Sequence, residues 1–167
     1  MKYAALNRKD LLWLLLYPLY QIVSTIRHEG GHALAATLEG AHVTRFVFWP
    51  SVNAGKFYWG YAQWQGQTSW FSLAAPYLID LLTAALTLVL LWRLSRLPRG
   101  LWLNIGIVGL LSPLVNSGYN YIGGWFYSAN DVARLLDLLP LPLVHLYFLL
   151  TLGAYAAAIG WALRRPA

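Results

Sequence analysis

Residues 11–38 read LLWLLLYPLYQIVSTIRHEGGHALAATL, a largely apolar run with a short polar motif near its end. As a helix rising about 1.5 Å per residue, this run is longer than the roughly 30 Å hydrocarbon core of a bilayer. Basic residues precede the run, as they do in membrane spans and in signal peptides. The run is too long for a signal peptide, and it contains Pro18 and the polar motif. We therefore expect a membrane-spanning helix that ends at Gly40.

The polar motif is His28-Glu29-Gly30-Gly31-His32, an HExxH sequence. On a helix, this spacing places two imidazoles one turn apart on one face, where both can bind a single zinc ion. Glu29 then lies beside the metal as a general base. Gly30 and Gly31 have no side chain beside the metal, which either lets an extended substrate backbone approach or allows close packing between helices. The motif predicts a hydrolytic zinc site.

The composition indicates a membrane protein. Hydrophobic residues make up 59% of the 167 residues, charged residues only 11%, and the mean hydropathy is +0.50, so too few charges exist to cover a water-facing surface. Nine Trp and eleven Tyr suit aromatic belts at the two interfaces. The net charge of +6 comes from residues that flank apolar runs, which favours lipid head groups over nucleic acid as the partner. No cysteine is present, so thiolates cannot bind the metal.

The chain reads as a single integral-membrane domain over 1–167, an all-α fold with about four transmembrane helices. After the first span, β-branched and aromatic residues on both sides of a turn-forming stretch predict a β-hairpin-like loop at the membrane interface. A short amphipathic helix precedes the last span. The expected boundaries are 11–38, 69–94, 101–122 and 143–163 for the spans, 41–67 for the loop and 129–138 for the short helix.

The charge distribution predicts an orientation. If the N-terminus is cytoplasmic, the inner side holds eight basic residues and the outer side three, which favours both termini inside a multi-pass protein of the cell membrane. The ends of spans one and three then lie on the same, outer side. The inner residues are Lys2, Arg8, Lys9, Arg93, Arg96, Arg99, Arg164 and Arg165, and the outer residues are Arg45, Lys56 and Arg134.

A catalytic zinc normally takes three protein ligands, so HExxH requires one more. Asp131 is the strongest candidate because it follows a span that ends on the correct side and begins a short helix. Its alternative role is to complete a capping box with Ser128. Asp80 lies within a span, where an ionisable group is a functional candidate by default, but it is deep. The weaker candidates are Glu39, His42, Asp137 and His145.

HEGGH at the end of a membrane helix, an aromatic strand-like loop after it, and an Asn-containing span followed by an Asp together resemble the site-2 protease family of intramembrane zinc metalloproteases. The second motif departs from the family pattern, which places the ligand Asp in an Asn/Pro-rich sequence ending Leu-Asp-Gly. Here Asn130-Asp131-Val132 stands alone. The resemblance implies a divergent, minimal member that cleaves membrane-protein or peptide substrates.

In this reading His28, His32 and Asp131 hold Zn²⁺, and Asn116 or Asn120 donates to the oxyanion of the transition state. Interhelical hydrogen bonding is the alternative role of the two asparagines. The aromatic loop, including a strand from Phe57 to Tyr61, offers an edge with which an unwound substrate can pair. A catalytically inactive scaffold or pseudo-protease that binds transmembrane partners is the alternative function, and the intact Glu29 argues against it. Substrate identity and oligomeric state are not specified by the sequence.

Overall fold

The computed structural model of the protein describes residues 8–53, 55–94 and 97–164. Of the basic residues counted above, Lys2, Arg96 and Arg165 lie outside these residues. The helices are α1 (Arg8–Leu15), α2 (Tyr17–Leu38), α3 (Trp70–Arg93), α4 (Arg99–Gly106), α5 (Ser112–Gly123), α6 (Asp131–Leu138) and α7 (Leu141–Arg164), and the strands are β1 (His42–Val47), β2 (Ser51–Asn53), β3 (Lys56–Tyr58) and β4 (Tyr61–Gln65). A π-helical turn, Ile107–Leu111, joins α4 to α5.

The predicted first span is two helices rather than one. α1 ends at Leu15 and α2 begins at Tyr17, with Leu16 between them. Pro18 explains the break, because it has no backbone N–H to donate to the carbonyl of Leu14 and its ring crowds that carbonyl. The prediction of one continuous helix is therefore wrong at its first turns. α2 alone carries the HExxH motif, and its 22 residues correspond to about 33 Å.

Three helical segments among the described residues are long and apolar enough to cross a membrane: Trp70–Arg93, Arg99–Gly123 and Leu141–Arg164. They match the predicted second, third and fourth spans within two residues at each end. α2 is not among the three, because its polar motif lowers its hydropathy. The structure thus supports an integral membrane protein with three apolar spans, and the predicted first span, residues 11–38, is not confirmed as a fourth.

The predicted end of α2 is confirmed. Gly40 has φ +85°, and the backbone N–H groups of Gly40 and Ala41 donate to the carbonyls of Thr37 and Ala36. This pair of bonds is the Schellman motif, which needs a residue that tolerates positive φ. The chain therefore turns sharply at Gly40 and enters β1.

The loop after α2 forms a long hairpin in two sections. β1 pairs with β4 and β2 pairs with β3, both antiparallel, and Gly55 with φ +76° lies in the tight turn at the tip. The hairpin prediction is correct in kind. A strand from Phe57 to Tyr61 is wrong, however, because β3 ends at Tyr58 and Gly60 separates it from β4.

The third span contains an irregularity that the hydropathy pattern does not predict. The π-helical turn Ile107–Leu111 lies within it, and Pro113 follows two residues later. In a π-helix the N–H of a residue bonds the carbonyl five residues earlier, so Pro113 leaves the carbonyl of Val108 without a helical partner. The turn therefore presents a free carbonyl inside the helix bundle.

Two apolar clusters hold the bundle together. One lies at the end of the bundle where α2 finishes and packs α6 against α3 and α7 through Leu73, Tyr77, Val132, Leu135, Val144 and Phe148. The other lies at the opposite end and consists of Ala84, Leu91, Leu110, Tyr155, Ala158 and Ala162. At that second end, Arg99 Nε donates to Asp10 Oδ1 at 3.0 Å and ties the start of α4 to α1. The polar residues of the motif lie at the first end.

Candidate metal centre

The HExxH motif lies on the buried face of α2. His28, Glu29 and His32 are 5%, 9% and 4% exposed. The two histidine rings are 4.9 Å apart between centroids and nearly perpendicular. His32 is six residues from the end of α2, so the rings lie about 9–15 Å below that end. The motif forms the predicted pair of imidazoles on one helical face.

Asp131 reaches the two histidines from α6. Its Oδ2 atom lies 3.1 Å from His32 Nε2 and 3.6 Å from His28 Nε2. Asp131 does not cap the helix, because Asn130 is the N-cap and its Oδ1 accepts the N–H of Val132 at 2.8 Å. The carboxylate of Asp131 is therefore free to face the histidines, and the capping alternative is not what the structure shows.

The three residues fit a zinc ion. Among the described residues, His28, His32 and Asp131 are the group that offers one ligand atom each, all within 4.8 Å of one another. With Zn–N and Zn–O bonds of about 2.0–2.2 Å, ligand atoms of a tetrahedral site lie about 3.3–3.5 Å apart. The measured 3.1 and 3.6 Å bracket that separation. Two imidazoles and one carboxylate are a donor set typical of catalytic zinc, with a fourth position left open.

The electrostatics of Asp131 also suit a ligand. Burial raises the pKa of its carboxyl group, but attraction to His32 and hydrogen bonds from both histidines outweigh burial and hold that pKa below its ordinary value. The carboxylate is thus ionised at neutral pH. The Asp131 side chain is 24% exposed and is the most exposed of the three, so the site opens beside α6.

A backbone carbonyl orients His32. The Nδ1 atom of His32 lies 2.7 Å from the carbonyl oxygen of Ser72 in α3. That carbonyl is free because the residue four positions later is Pro76, which has no N–H to donate to it. A carbonyl only accepts, so Nδ1 carries a hydrogen, and loss of the Nε2 proton that now bonds Asp131 would leave the lone pair of Nε2 for a metal. Trp64 of β4 stacks on the other side of the His32 ring, with 6.0 Å between centroids.

A chain of polar side chains lies behind His28. The Nδ2 atom of Asn116 is 2.9 Å from His28 Nδ1 and donates to Asp80 Oδ2 at 2.8 Å. Asp80 is fully buried and accepts from Arg27 Nε at 2.6 Å. Arg27 Nη1 donates to the carbonyl of Val108 at 3.1 Å, the carbonyl that Pro113 leaves free. Asp80 is therefore the carboxylate partner of Arg27.

The two predicted asparagines link the elements of the site. Asn120 Nδ2 donates to the backbone carbonyl of Asn116 at 3.1 Å, and Asn120 Oδ1 accepts from Asn130 Nδ2 at 3.2 Å. Asn130 caps the helix that begins with Asp131. Both asparagines thus make the interhelical contacts of their alternative role, and donation to an oxyanion stays a prediction.

Glu29 lies under β4. The backbone N–H of Ala62 lies close enough to interact with its carboxylate. The neighbouring Gly60 is pressed against α2: a Cβ atom there would lie 2.4 Å from Thr25 Cγ2 and 3.3 Å from Glu29 Cγ. The hairpin therefore forms one wall of the site and contacts Glu29 directly.

The two glycines of the motif differ in surroundings. A Cβ atom on Gly31 would lie 2.9 Å from Pro76 Cα, so Gly31 allows α2 and α3 to pack closely. A Cβ atom on Gly30 would meet nothing within 4 Å. Gly31 thus fits the packing interpretation, and Gly30 leaves open space beside Glu29.

The other candidate ligands lie away from the two histidines: three contact other residues and two are exposed. Glu39 Oε1 accepts from the backbone N–H of Ser69 at 3.1 Å, His145 Nδ1 is 2.9 Å from the hydroxyl of Tyr121, and Asp80 pairs with Arg27. His42 is exposed at the start of β1 and Asp137 is exposed on α6. None of these five residues belongs to the metal-binding group found among the described residues.

Sequence reasoning missed the supports of the two histidines. Asn116 is predicted as a donor to the oxyanion, but it contacts His28 Nδ1. The Ser72 and Val108 acceptors are backbone carbonyls, so their residue types do not indicate a polar contact. The available signal was Pro76 and Pro113, since a proline inside an apolar helix frees a carbonyl that a polar side chain can use.

Comparison with protein-family models indicates a peptidase family, in agreement with the HExxH motif. The model described as Peptidase M50B-like matches residues 5–129, three quarters of the chain. The match includes the HExxH motif and both predicted asparagines and ends two residues before Asp131. Comparison with curated proteins and with solved structures finds no match. The chain belongs to the Peptidase M50B-like family.

Proposed function

We propose that the protein is an intramembrane zinc metalloprotease that hydrolyses peptide bonds in or near transmembrane segments of membrane-protein substrates. The observation that carries the proposal is the meeting of His28, His32 and Asp131 beside Glu29 in a chain of a peptidase family. The three ligand residues would hold the zinc ion. When bound, zinc lowers the pKa of a water molecule and polarises the scissile carbonyl.

In this proposal Glu29 takes a proton from the attacking water and delivers it to the leaving amine. Its position under β4 supports that role, because the Ala62 N–H lies near the carboxylate and Gly60 packs against the Glu29 side chain. Burial of both histidines keeps bulk water from the ligands, while the exposed side of Asp131 leaves a path for substrate and water.

Substrate recognition in this proposal uses the hairpin. Among the described residues the β1–β4 sheet has two strands, so each has an outer edge that no other described strand occupies. An extended peptide can add to such an edge by β-augmentation. β4 is the appropriate strand because Ala62 and Trp64 contact Glu29 and His32. A helical substrate would have to unwind locally before it could pair there.

We also propose that the protein lies in the cell membrane with both termini cytoplasmic. The support is the positive-inside rule: Arg8, Arg93, Arg99 and Arg164 lie at the bundle end opposite the site, whereas Arg45 and Arg134 lie at the site end. With this orientation the site opens toward the outer face.

The test uses the only two glutamates in the chain as a matched pair. Purified wild-type protein, Glu29→Gln and Glu39→Gln are compared for zinc content and for cleavage of a panel of transmembrane peptides. We expect one zinc ion per chain in all three proteins. Cleavage falls by about 10²–10⁴ in Glu29→Gln, because a general base is lost. Glu39→Gln should cleave normally, because glutamine still offers an oxygen to Ser69.

Wild-type protein without zinc, or Glu29→Gln that cleaves as fast as wild type, would refute the protease proposal. Zinc binding with no cleavage of any peptide would favour the inactive scaffold. Full zinc occupancy in Asp131→Ala would place the third ligand elsewhere.

A further inference from the structure

The structure places a buried ion pair where the proposed chemistry does not need one. Arg27 and Asp80 are 2.6 Å apart, and their side chains are 13% and 0% exposed. Asp80 is ten residues into α3, about 15 Å below its start and near the middle of a bilayer of roughly 30 Å. A buried ion pair at that depth is weak as a source of stability, since apolar residues of similar volume often serve as well. Its presence there therefore points to a role other than stability.

The contacts of the pair lead to one metal ligand. Asp80 uses Oδ1 for Arg27 and Oδ2 for Asn116, and Asn116 in turn contacts His28 Nδ1. The opposite nitrogen of that ring, Nε2, faces Asp131. The measured contact, Nδ2 to a bare Nδ1, belongs to the metal-free ring. When Nε2 binds a metal, the ring proton lies on Nδ1, and Asn116 can accept it with Oδ1 while Asp80 keeps Nδ2.

The far end of the chain of contacts is fixed to the backbone. Arg27 Nη1 donates to the Val108 carbonyl in the π-helical turn. The ring of His28 is thus connected through three side chains to a rigid point in the third span. His32 has a simpler support, the Ser72 carbonyl. His28 also meets Tyr77 edge to face, a contact that does not fix the position of a ring nitrogen.

We infer that Arg27, Asp80 and Asn116 are positioning residues that hold the His28 ring in the orientation required for metal binding. The inference rests on the proposed function in one respect, that the cluster binds zinc. Outer contacts of this kind typically contribute 10- to 100-fold to metal affinity. The network therefore sets how tightly the site holds its ion, separately from the proton transfer at Glu29.

The experiment compares two double variants that both remove the buried charges. Arg27→Met/Asp80→Leu replaces the pair with apolar side chains, so Asn116 loses its acceptor. Arg27→Gln/Asp80→Asn keeps a carboxamide at position 80 that can still bond Asn116. Neither leaves a lone buried charge, which single variants would do. Zinc affinity is measured by competition with a chromophoric chelator, and the absorption bands of bound Co²⁺ report ligand geometry.

We expect zinc binding to weaken about 10- to 100-fold in Arg27→Met/Asp80→Leu, with altered Co²⁺ bands. In Arg27→Gln/Asp80→Asn it should stay within about threefold of wild type. The thermal midpoint of the metal-free protein is measured for each, so that a fold defect is separated from a ligand defect. If the apolar variant does not fold, Asn116→Ala, in which Arg27 and Asp80 remain paired, is expected to show the same loss of affinity.

Equal zinc affinity in wild type and in the folded apolar variant, or in Asn116→Ala, would overturn the inference while leaving the protease proposal intact. Absence of zinc binding in wild type would instead refute the proposed function. Loss of affinity in both double variants alike would show that the charge, rather than the contact to Asn116, is what matters, and would also overturn the inference.

Discussion

Substitution of Gly60 by alanine tests whether the hairpin holds the general base. The added Cβ atom would lie 2.4 Å from Thr25 Cγ2 and 2.5 Å from the carbonyl oxygen of Val47. Carbon atoms in contact prefer separations of about 3.5–4.0 Å. The Gly60 segment must therefore retreat from α2 by about 1 Å, and since Val47 lies in β1, it must also move away from its partner strand. Neither obstacle is the flexible end of a long side chain, since one is backbone and the other a β-branched methyl group.

The expected cost has two parts. Overpacking of this kind destabilises a protein by about 1–3 kcal/mol. A 1 Å displacement of a positioning element costs about 10²-fold in catalysis. The three atoms nearest to a Cβ at Gly60 include Glu29 Cγ and no atom of the proposed metal ligands. We therefore expect Gly60→Ala to keep its zinc and lose about 10²-fold in cleavage rate.

The assay measures zinc content and peptide cleavage on the same preparation. Gly153→Ala is the control, because a Cβ atom at Gly153 in α7 meets nothing within 4 Å. It should behave as wild type in both measurements. Cleavage by Gly60→Ala at the wild-type rate would show that the alignment of Glu29 does not depend on the hairpin. Loss of zinc in Gly60→Ala would show that the hairpin acts on the ligands instead.

Two further substitutions address the ligands themselves. Gly31→Ala puts a Cβ atom 2.9 Å from Pro76 Cα, so we expect α2 to move away from α3. Zinc affinity, measured by chelator competition, should then fall about tenfold or more. Gly30→Ala is the control and should retain zinc, because a Cβ atom at Gly30 meets nothing within 4 Å. Asn130→Ala removes the N-cap of α6, worth about 1 kcal/mol, and should weaken zinc binding about fivefold. Asn130→Ser keeps a capping oxygen and should recover most of that loss. Equal zinc affinity in wild type and both variants would contradict the role of the cap.

Much of the architecture could be predicted because it depends on local pattern. Hydropathy locates the three apolar spans within two residues, and Gly40 ends α2 where a residue with positive φ is needed. The aromatic hairpin and the short helix at Asp131 also follow from turn and capping chemistry. The division of the first span into two helices was missed because an apolar run was read as continuous, although Pro18 marks the break.

The metal cluster could be predicted in part. HExxH specifies two ligands and a base by its own spacing, whereas Asp131 is 99 residues from His32 and is identified only by which side of the bundle it reaches. The contacts behind His28 could not be predicted, because they depend on the rotation of the third span about its axis. A one-residue change in that rotation, about 100°, would turn Asn116 away from α2.

Pro76 has a consequence for how the protein can evolve or be engineered. The orientation of His32 depends on a missing atom, the amide hydrogen that Pro76 does not supply to the Ser72 carbonyl. Almost any other residue at position 76 would restore a regular helical bond and should make α3 a better helix. The same change would draw the carbonyl away from the ring. Thermostability and metal retention are therefore opposed at this position, and a screen for heat resistance alone would select against the site.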